Sequence, residues 1–225
     1  MNTGIHSELD ESPDSLPTEG RVLLRAAYVY DAVQPFVTLG QEARMNCWLA
    51  DQLPLTDGMR ALDVGCGTGL LTVAIAERHL QCQVEGIDAS KPMIRVARKK
   101  RTRSNCIFRQ ALAEELPYPD QHFDIVTSAL FFHHVNRGLK RRCLLEIHRV
   151  LKPGGRLVIA DMDRPYTLLG TLLSYGAWIL FRQPEIKENM DGVLRVEVSG
   201  AGFGTIQDLG RFSGYIRVFA AERLQ

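Results

Sequence analysis

The sequence predicts an α/β fold, a largely parallel sheet with helices on both faces, and three observations carry that expectation. From residue 60 onward short, apolar, β-rich runs alternate with helix-forming stretches, the pattern of βαβ units. The first run ends in a glycine-rich turn, Gly65-Cys66-Gly67-Thr68-Gly69, that feeds an apolar helix. The last two runs meet around Ser213-Gly214, a hairpin signal that makes the closing pair antiparallel.

Strands are expected at 60–65, 82–87, 105–109, 123–128 and 155–161, each short and apolar because both faces are covered. Two more are expected at 204–212 and 215–221. Helices at 69–79, 90–100 and 138–150 alternate with them. The last shows Leu139, Cys143, Leu144, Ile147 and Val150 at helical spacing and stops at Lys152-Pro153-Gly154-Gly155, where proline cannot continue a helix and glycine permits a turn. Two helices, 21–34 and 40–53, form an N-terminal cap, and another is expected at 184–200. Residues 1–20, acidic and containing Pro and Ser, read as a disordered tail without the features of a secretory signal, leaving 21–225 as a single domain.

The chain has 225 residues, 45% hydrophobic and 24% charged, enough for one substantial core. Twenty-seven basic residues nearly balance twenty-six acidic ones, so no global field draws the molecule to nucleic acid or anionic lipid. Five scattered cysteines without a CxxC pair fit neither a disulfide framework nor a zinc site, so no metal and a cytoplasmic setting are expected. Residues 165–181 carry no charge, but seventeen residues are short of the roughly 20 that span a bilayer. Residues 165–182 are therefore read as an apolar insertion near the acceptor site, with core packing, a homodimer contact or peripheral membrane contact as the other readings.

The glycine turn occupies a strand-to-helix junction, where absence of Cβ lets a ligand approach the backbone. A dinucleotide fingerprint requires GxGxxG, but Leu70 stands where its third glycine belongs, and a phosphate loop requires a lysine that is absent. A purely structural turn is the remaining alternative to a cofactor loop. Asp88 ends the second strand, where an acid can accept from both hydroxyls of a ribose.

LDVGCGTG at 62–69 resembles the first motif of the class I S-adenosylmethionine-dependent methyltransferases residue for residue. Asp88-Ala89-Ser90-Lys91-Pro92-Met93 is similar to that family's DxSxxM pattern, and AEELPYPDQHFDIVTS at 113–128 to its adenine-edge stretch and fourth strand. LKPGG at 151–155 and AGF at 201–203 complete a resemblance covering about 28–221. It implies a Rossmann-like, seven-stranded, mostly parallel sheet and S-adenosylmethionine as cofactor, with S-adenosylhomocysteine as product. By the same resemblance, Gly65, Cys66, Gly67 and Gly69 pack on the methionyl part, and Asp63 helps hold its ammonium. Asp88 with Ala89 would take the ribose, Met93 the adenine ring unless it is simple helix core, Ala113 and Glu114 the base edge, and Ser128 the methionine end. Leu112 departs from the family, which places Asp or Asn there to accept from the adenine amino group.

The stretch from Tyr30 to Gly40 resembles the YD…LSLG region of ubiquinone and menaquinone C-methyltransferases, which implies that Tyr30 reaches the cofactor carboxylate. Ser128-Ala129-Leu130-Phe131 stands where Asn/Asp-Pro-Pro-Tyr would methylate amide or exocyclic nitrogens, which disfavours nucleobase amino groups. His133 and His134, after the fourth strand, are the candidate bases, because imidazole titrates near neutral pH. The leading expectation is a small, hydrophobic acceptor resembling a quinone, phenol or lipid. Two rivals stay open: an RNA-modifying enzyme using the basic residues 95–103 or Arg137, Lys140, Arg141 and Arg142, and a cofactor-binding regulatory protein without catalysis.

Overall fold

The computed structural model describes residues 15–18, 20 and 38–224. Seven strands, β1 Arg60–Val64, β2 Gln83–Asp88, β3 Cys106–Gln110, β4 Phe123–Ala129, β5 Leu151–Met162, β6 Gln207–Phe212 and β7 Ile216–Glu222, form one sheet in the order β3-β2-β1-β4-β5-β7-β6. The first five run parallel, and β7 is antiparallel to both β5 and β6. The chain thus builds outward from β1 to β3 and crosses back to place β4 on the other side of β1. This reversal opens a crevice beyond the carboxyl ends of β1 and β4.

Seven described α-helices cover the sheet: α1 Glu42–Asp51, α2 Leu70–Arg78, α3 Lys91–Lys100, α4 Arg137–Val150, α5 Leu168–Phe181, α6 Pro184–Met190 and α7 Val193–Gly200. Strand side chains alternate between the faces, so neighbouring residues enter different cores. Ala61, Ile125, Val158 and Ala220 meet α1, α2, α3 and α6 through Leu49, Ile75, Ile94 and Ile186. Leu62, Val126, Ile159 and Phe219 meet α4 and α7 through Leu144, Ile147, Leu194 and Val198.

Three expectations need correction. The helix expected at 184–200 is two helices, broken where Gly192 adopts φ +86, a conformation that glycine enters without steric cost. Residues 152–155 are not a turn before the fifth strand but its first part. Gly154 N-H donates to Arg223 O at 3.0 Å and Arg223 N-H to Gly155 O at 2.8 Å, so the end of the chain pairs with them. Residues 204–206 precede β6 rather than opening it. The expected helix 21–34 lies outside the described residues. Within the stretch read as a tail, Leu16 N-H donates to Ala89 O at 3.2 Å and Thr18 Oγ1 to Glu114 Oε1 at 2.6 Å.

Candidate active site

The crevice holds a cavity, and the glycine turn forms its floor. Cys66 N-H donates to Ile87 O at 2.8 Å, tying the turn to the end of β2, and Gly69 N-H donates to Cys66 O at 2.8 Å, closing it into α2. Gly65, Gly67 and Gly69 all have positive φ, but for different reasons. A Cβ on Gly65 would lie 2.5 Å from the Phe131 ring, and one on Gly69 2.5 Å from Phe108, whereas one on Gly67 would meet nothing within 4 Å. Two glycines therefore admit protein packing, and Gly67 opens on free space.

Four acids among the described residues line the cavity: Asp63, Asp88, Glu114 and Glu42. Asp88 accepts Gly67 N-H at 3.0 Å and Ser90 N-H at 2.8 Å, which fixes its carboxylate between the turn and the start of α3. Burial pushes its pKa up, against the lowering effect of these two hydrogen bonds. Asp63 is more enclosed, accepting from Thr72 Oγ1 at 2.7 Å and Thr127 Oγ1 at 3.1 Å. Desolvation pushes its carboxyl up to about 7 despite those hydroxyls. Acids set in a low-dielectric crevice favour a cationic ligand, whose charge would restore their ionised forms.

Beyond β4 the chain takes a tight path. Leu130 holds φ 55, a left-handed conformation uncommon for a leucine, and its N-H donates to Ala160 O at 2.8 Å. Phe131 is thereby laid against Gly65, and a short 3₁₀ turn, Phe132–His134, follows. Asp161, 1% exposed on β5, anchors the turn by accepting Phe132 N-H and His133 Nδ1, each at 2.7 Å. The His133 and His134 rings lie 4.0 Å apart, and His134 lines the cavity beside the apolar Ala129, Leu130, Val135 and Leu139.

A family model described as a methyltransferase domain matches residues 62–159. The demethylmenaquinone methyltransferase of Tropheryma whipplei (strain Twist) is 31% identical over 165 residues, 73% of this chain and 67% of that protein. The chain belongs to the class I S-adenosylmethionine-dependent methyltransferases. The demethylmenaquinone methyltransferase of Lactiplantibacillus plantarum is 36% identical over 142 residues, 60% of this chain but only 59% of that protein's length. Phosphoethanolamine N-methyltransferase 2 of Haemonchus contortus, in complex with S-adenosyl-L-methionine, superposes with a TM-score of 0.65 at 19% identity over 88% of this chain and 56% of that one. That likeness is one of fold.

The methyltransferase's cavity suits its cofactor on independent grounds. Asn46 of α1 is 4% exposed, lines the cavity, and has an Oδ1 without a hydrogen-bond partner among the described residues. A buried acceptor of this kind calls for a donor that a bound ligand would bring. Of the residues singled out in the sequence, Asp63, Gly65, Cys66, Gly67, Asp88, Ala89, Met93, Ala113, Glu114 and His134 line the methyltransferase's cavity. Gly69 serves the turn instead, and Ser128, fully buried, donates to Val64 O at 2.9 Å. His133 stands behind His134, and Tyr30 lies outside the described residues. Among the described residues, none from the 165–182 stretch expected near the acceptor site lines this cavity.

Sequence reasoning missed Glu42 and Asn46, although their i,i+4 spacing sets them on one face of α1. It also missed Thr18, Leu130 and Phe131. Two of the four residues in the second basic cluster are engaged within the fold, while Arg141 and Arg142 are exposed. Lys140 is fully buried, donating to Val135 O at 2.5 Å and Glu188 Oε2 at 2.9 Å, and Arg137 pairs with Glu197 at 2.6 Å. In the first cluster, Arg98 donates to Phe108 O and Arg103 pairs with Glu77.

Proposed function

We propose that this methyltransferase alkylates a small aromatic acceptor of the reduced-quinone or phenol class, at a ring carbon or oxygen. The observation that carries the reading is the pairing of an apolar wall, Ala129, Leu130, Val135 and Leu139, with a histidine that lines the same cavity and is backed by a buried His133–Asp161 contact. An aromatic hydroxyl is such an acceptor: its ring suits an apolar wall, and its proton must leave for the ring to become a strong nucleophile. The demethylmenaquinone methyltransferases among the relatives support the same class.

The bound cofactor supplies an electrophilic methyl group on a sulfonium, whose positive charge is lost on transfer. The protein's own residues do the rest. The glycine turn and Asp88 fix the cofactor's position, while Phe131, pressed on Gly65, shapes the boundary between cofactor and acceptor. Alignment of this kind supplies much of the rate in an in-line displacement. His134 takes the acceptor proton, and Asp161 orients the His133 ring packed against it.

The test is incubation with methyl-labelled cofactor and separate panels of reduced quinones, phenols, phospholipids and transfer RNA. Label in the quinol or phenol products is the expected outcome. Label confined to RNA, or cofactor binding by calorimetry with no turnover on any panel, would sink the reading.

A further inference from the structure

α5 is built as a docking element. Its inner edge is fixed: Thr167 caps the helix by accepting Gly170 N-H at 3.0 Å, and Gly170 sits so close to the β6–β7 turn that a Cβ there would lie 2.1 Å from Gly214 O. Leu173, Ala177 and Trp178 pack on the core beneath. The outer edge is the reverse of what a solvated helix presents. Leu168 is 93% exposed, Leu172 71%, Ile179 67% and Leu180 76%, with Leu169 and Tyr175 also exposed, and the helix contains no charged residue. An apolar row along a helix about 21 Å long is larger than the scattered leucines of an ordinary surface.

The charges around this row decide what covers it. Arg164 and Arg182 bracket the helix, both exposed and neither in an ion pair among the described residues. Exposed Arg211 sits with its guanidinium 5.5 Å from the Tyr166 ring, just ahead of the helix. The adjacent acids face elsewhere: Asp163 is held by Arg195, and Glu185 has a buried carboxylate oxygen. The rim is therefore cationic around an apolar centre. Packing two copies antiparallel through α5 about a two-fold axis would set Arg164 of one beside Arg182 of the other, with no acid on the face to offset them. Phosphate headgroups over acyl chains match both parts at once.

We propose that α5 lies in the surface of an anionic lipid bilayer, its Leu168, Leu172, Ile179 and Leu180 row among the acyl chains and Arg164, Arg182 and Arg211 on lipid phosphates. No helix among the described residues is long and apolar enough to cross a membrane, so the contact is peripheral. α6 packs on α5 and on the Phe132–His134 turn, which sets the cavity close to the docked surface. The docking does not depend on which acceptor the enzyme uses.

The test is co-sedimentation of the full chain with vesicles of phosphatidylcholine alone and of phosphatidylcholine mixed equally with phosphatidylglycerol. The wild type is expected to sediment with the anionic vesicles and to be released by high salt. Leu172→Asp combined with Ile179→Asp, both at exposed positions, is expected to reduce binding at least about tenfold, with an unchanged melting temperature and an unchanged thermal shift on S-adenosylhomocysteine. Arg164→Glu with Arg182→Glu is expected to abolish the preference for the anionic vesicles. Wild type that stays in the supernatant with both vesicles, or an aspartate variant that sediments like wild type, overturns the proposal. So does a wild-type dimer, free of lipid, that the same aspartates convert to monomer.

Discussion

His133 Nδ1 lies 2.7 Å from Asp161 Oδ1, and the other oxygen of that buried carboxylate receives Phe132 N-H at the same distance. One side chain on β5 thus sets both the ring and the backbone of the turn at the cavity's edge. A carboxylate can only accept, so Nδ1 carries the proton and Nε2 is left as the basic nitrogen. Asp161→Asn is expected to lower kcat on a quinol or phenol acceptor by about a hundredfold while leaving KM for the cofactor nearly unchanged. His133→Asn is expected to cost a similar factor, and the double variant little more, since the two act as one unit. Steady-state kinetics checks this; a fall that tracks only the melting temperature would assign the pair to structure alone.

The three glycines of the turn are expected to separate on substitution by alanine. Gly65→Ala and Gly69→Ala push a methyl into Phe131 and Phe108 and should cost about 2 to 4 kcal/mol of stability, overpacking added to an unfavourable φ. Gly67→Ala adds only the left-handed penalty of about 1 kcal/mol, yet its methyl enters the cavity. Its main effect should be on cofactor affinity. Chemical denaturation and calorimetry on the same three variants read the two quantities independently, and equal destabilisation by all three would contradict the assignment.

Asp88→Asn removes the charge from an acid that spans Gly67 N-H and Ser90 N-H. Charge-assisted hydrogen bonds to a bound ligand contribute about 1.5 to 3 kcal/mol, so the Kd for S-adenosylmethionine should rise roughly ten- to a hundredfold. Glu114→Gln should cost less, because Glu114 is partly solvated and already engaged by Thr18. Calorimetric titration ranks the two, and a reversed order would move the ribose role away from Asp88.

Asp63 makes the stability of the ligand-free protein depend on pH. Its folded pKa is raised to about 7 by burial, above the usual 3.8, so the folded state keeps a proton that the unfolded chain releases. The folded state accordingly loses stability as pH rises from about 4 to about 7 and changes little from this source above that. Asp63→Asn should remove that component, visible as a wild-type melting temperature that falls relative to the variant's as pH rises across this window. Cofactor affinity should rise through the same range, since an ammonium favours the ionised carboxylate.

Much of this was legible in the sequence because it is written locally. Short apolar runs alternating with helical stretches, a glycine turn after a strand and an acid closing the next strand depend on neighbouring residues, and they placed β1 to β5, the cavity floor and Asp88. What the tertiary structure alone decided rests on contacts between distant parts of the chain. Asp161 reaches back to His133, Phe131 lies on Gly65, and Lys140, a surface charge by composition, is buried against Glu188. α1 brings Glu42 and Asn46 over a loop formed some twenty residues later. The uncharged run 165–181 showed itself as apolar at once, but apolarity does not say which face is covered. Only the seating of Gly170 on Gly214 turned its leucines outward and left them at the surface.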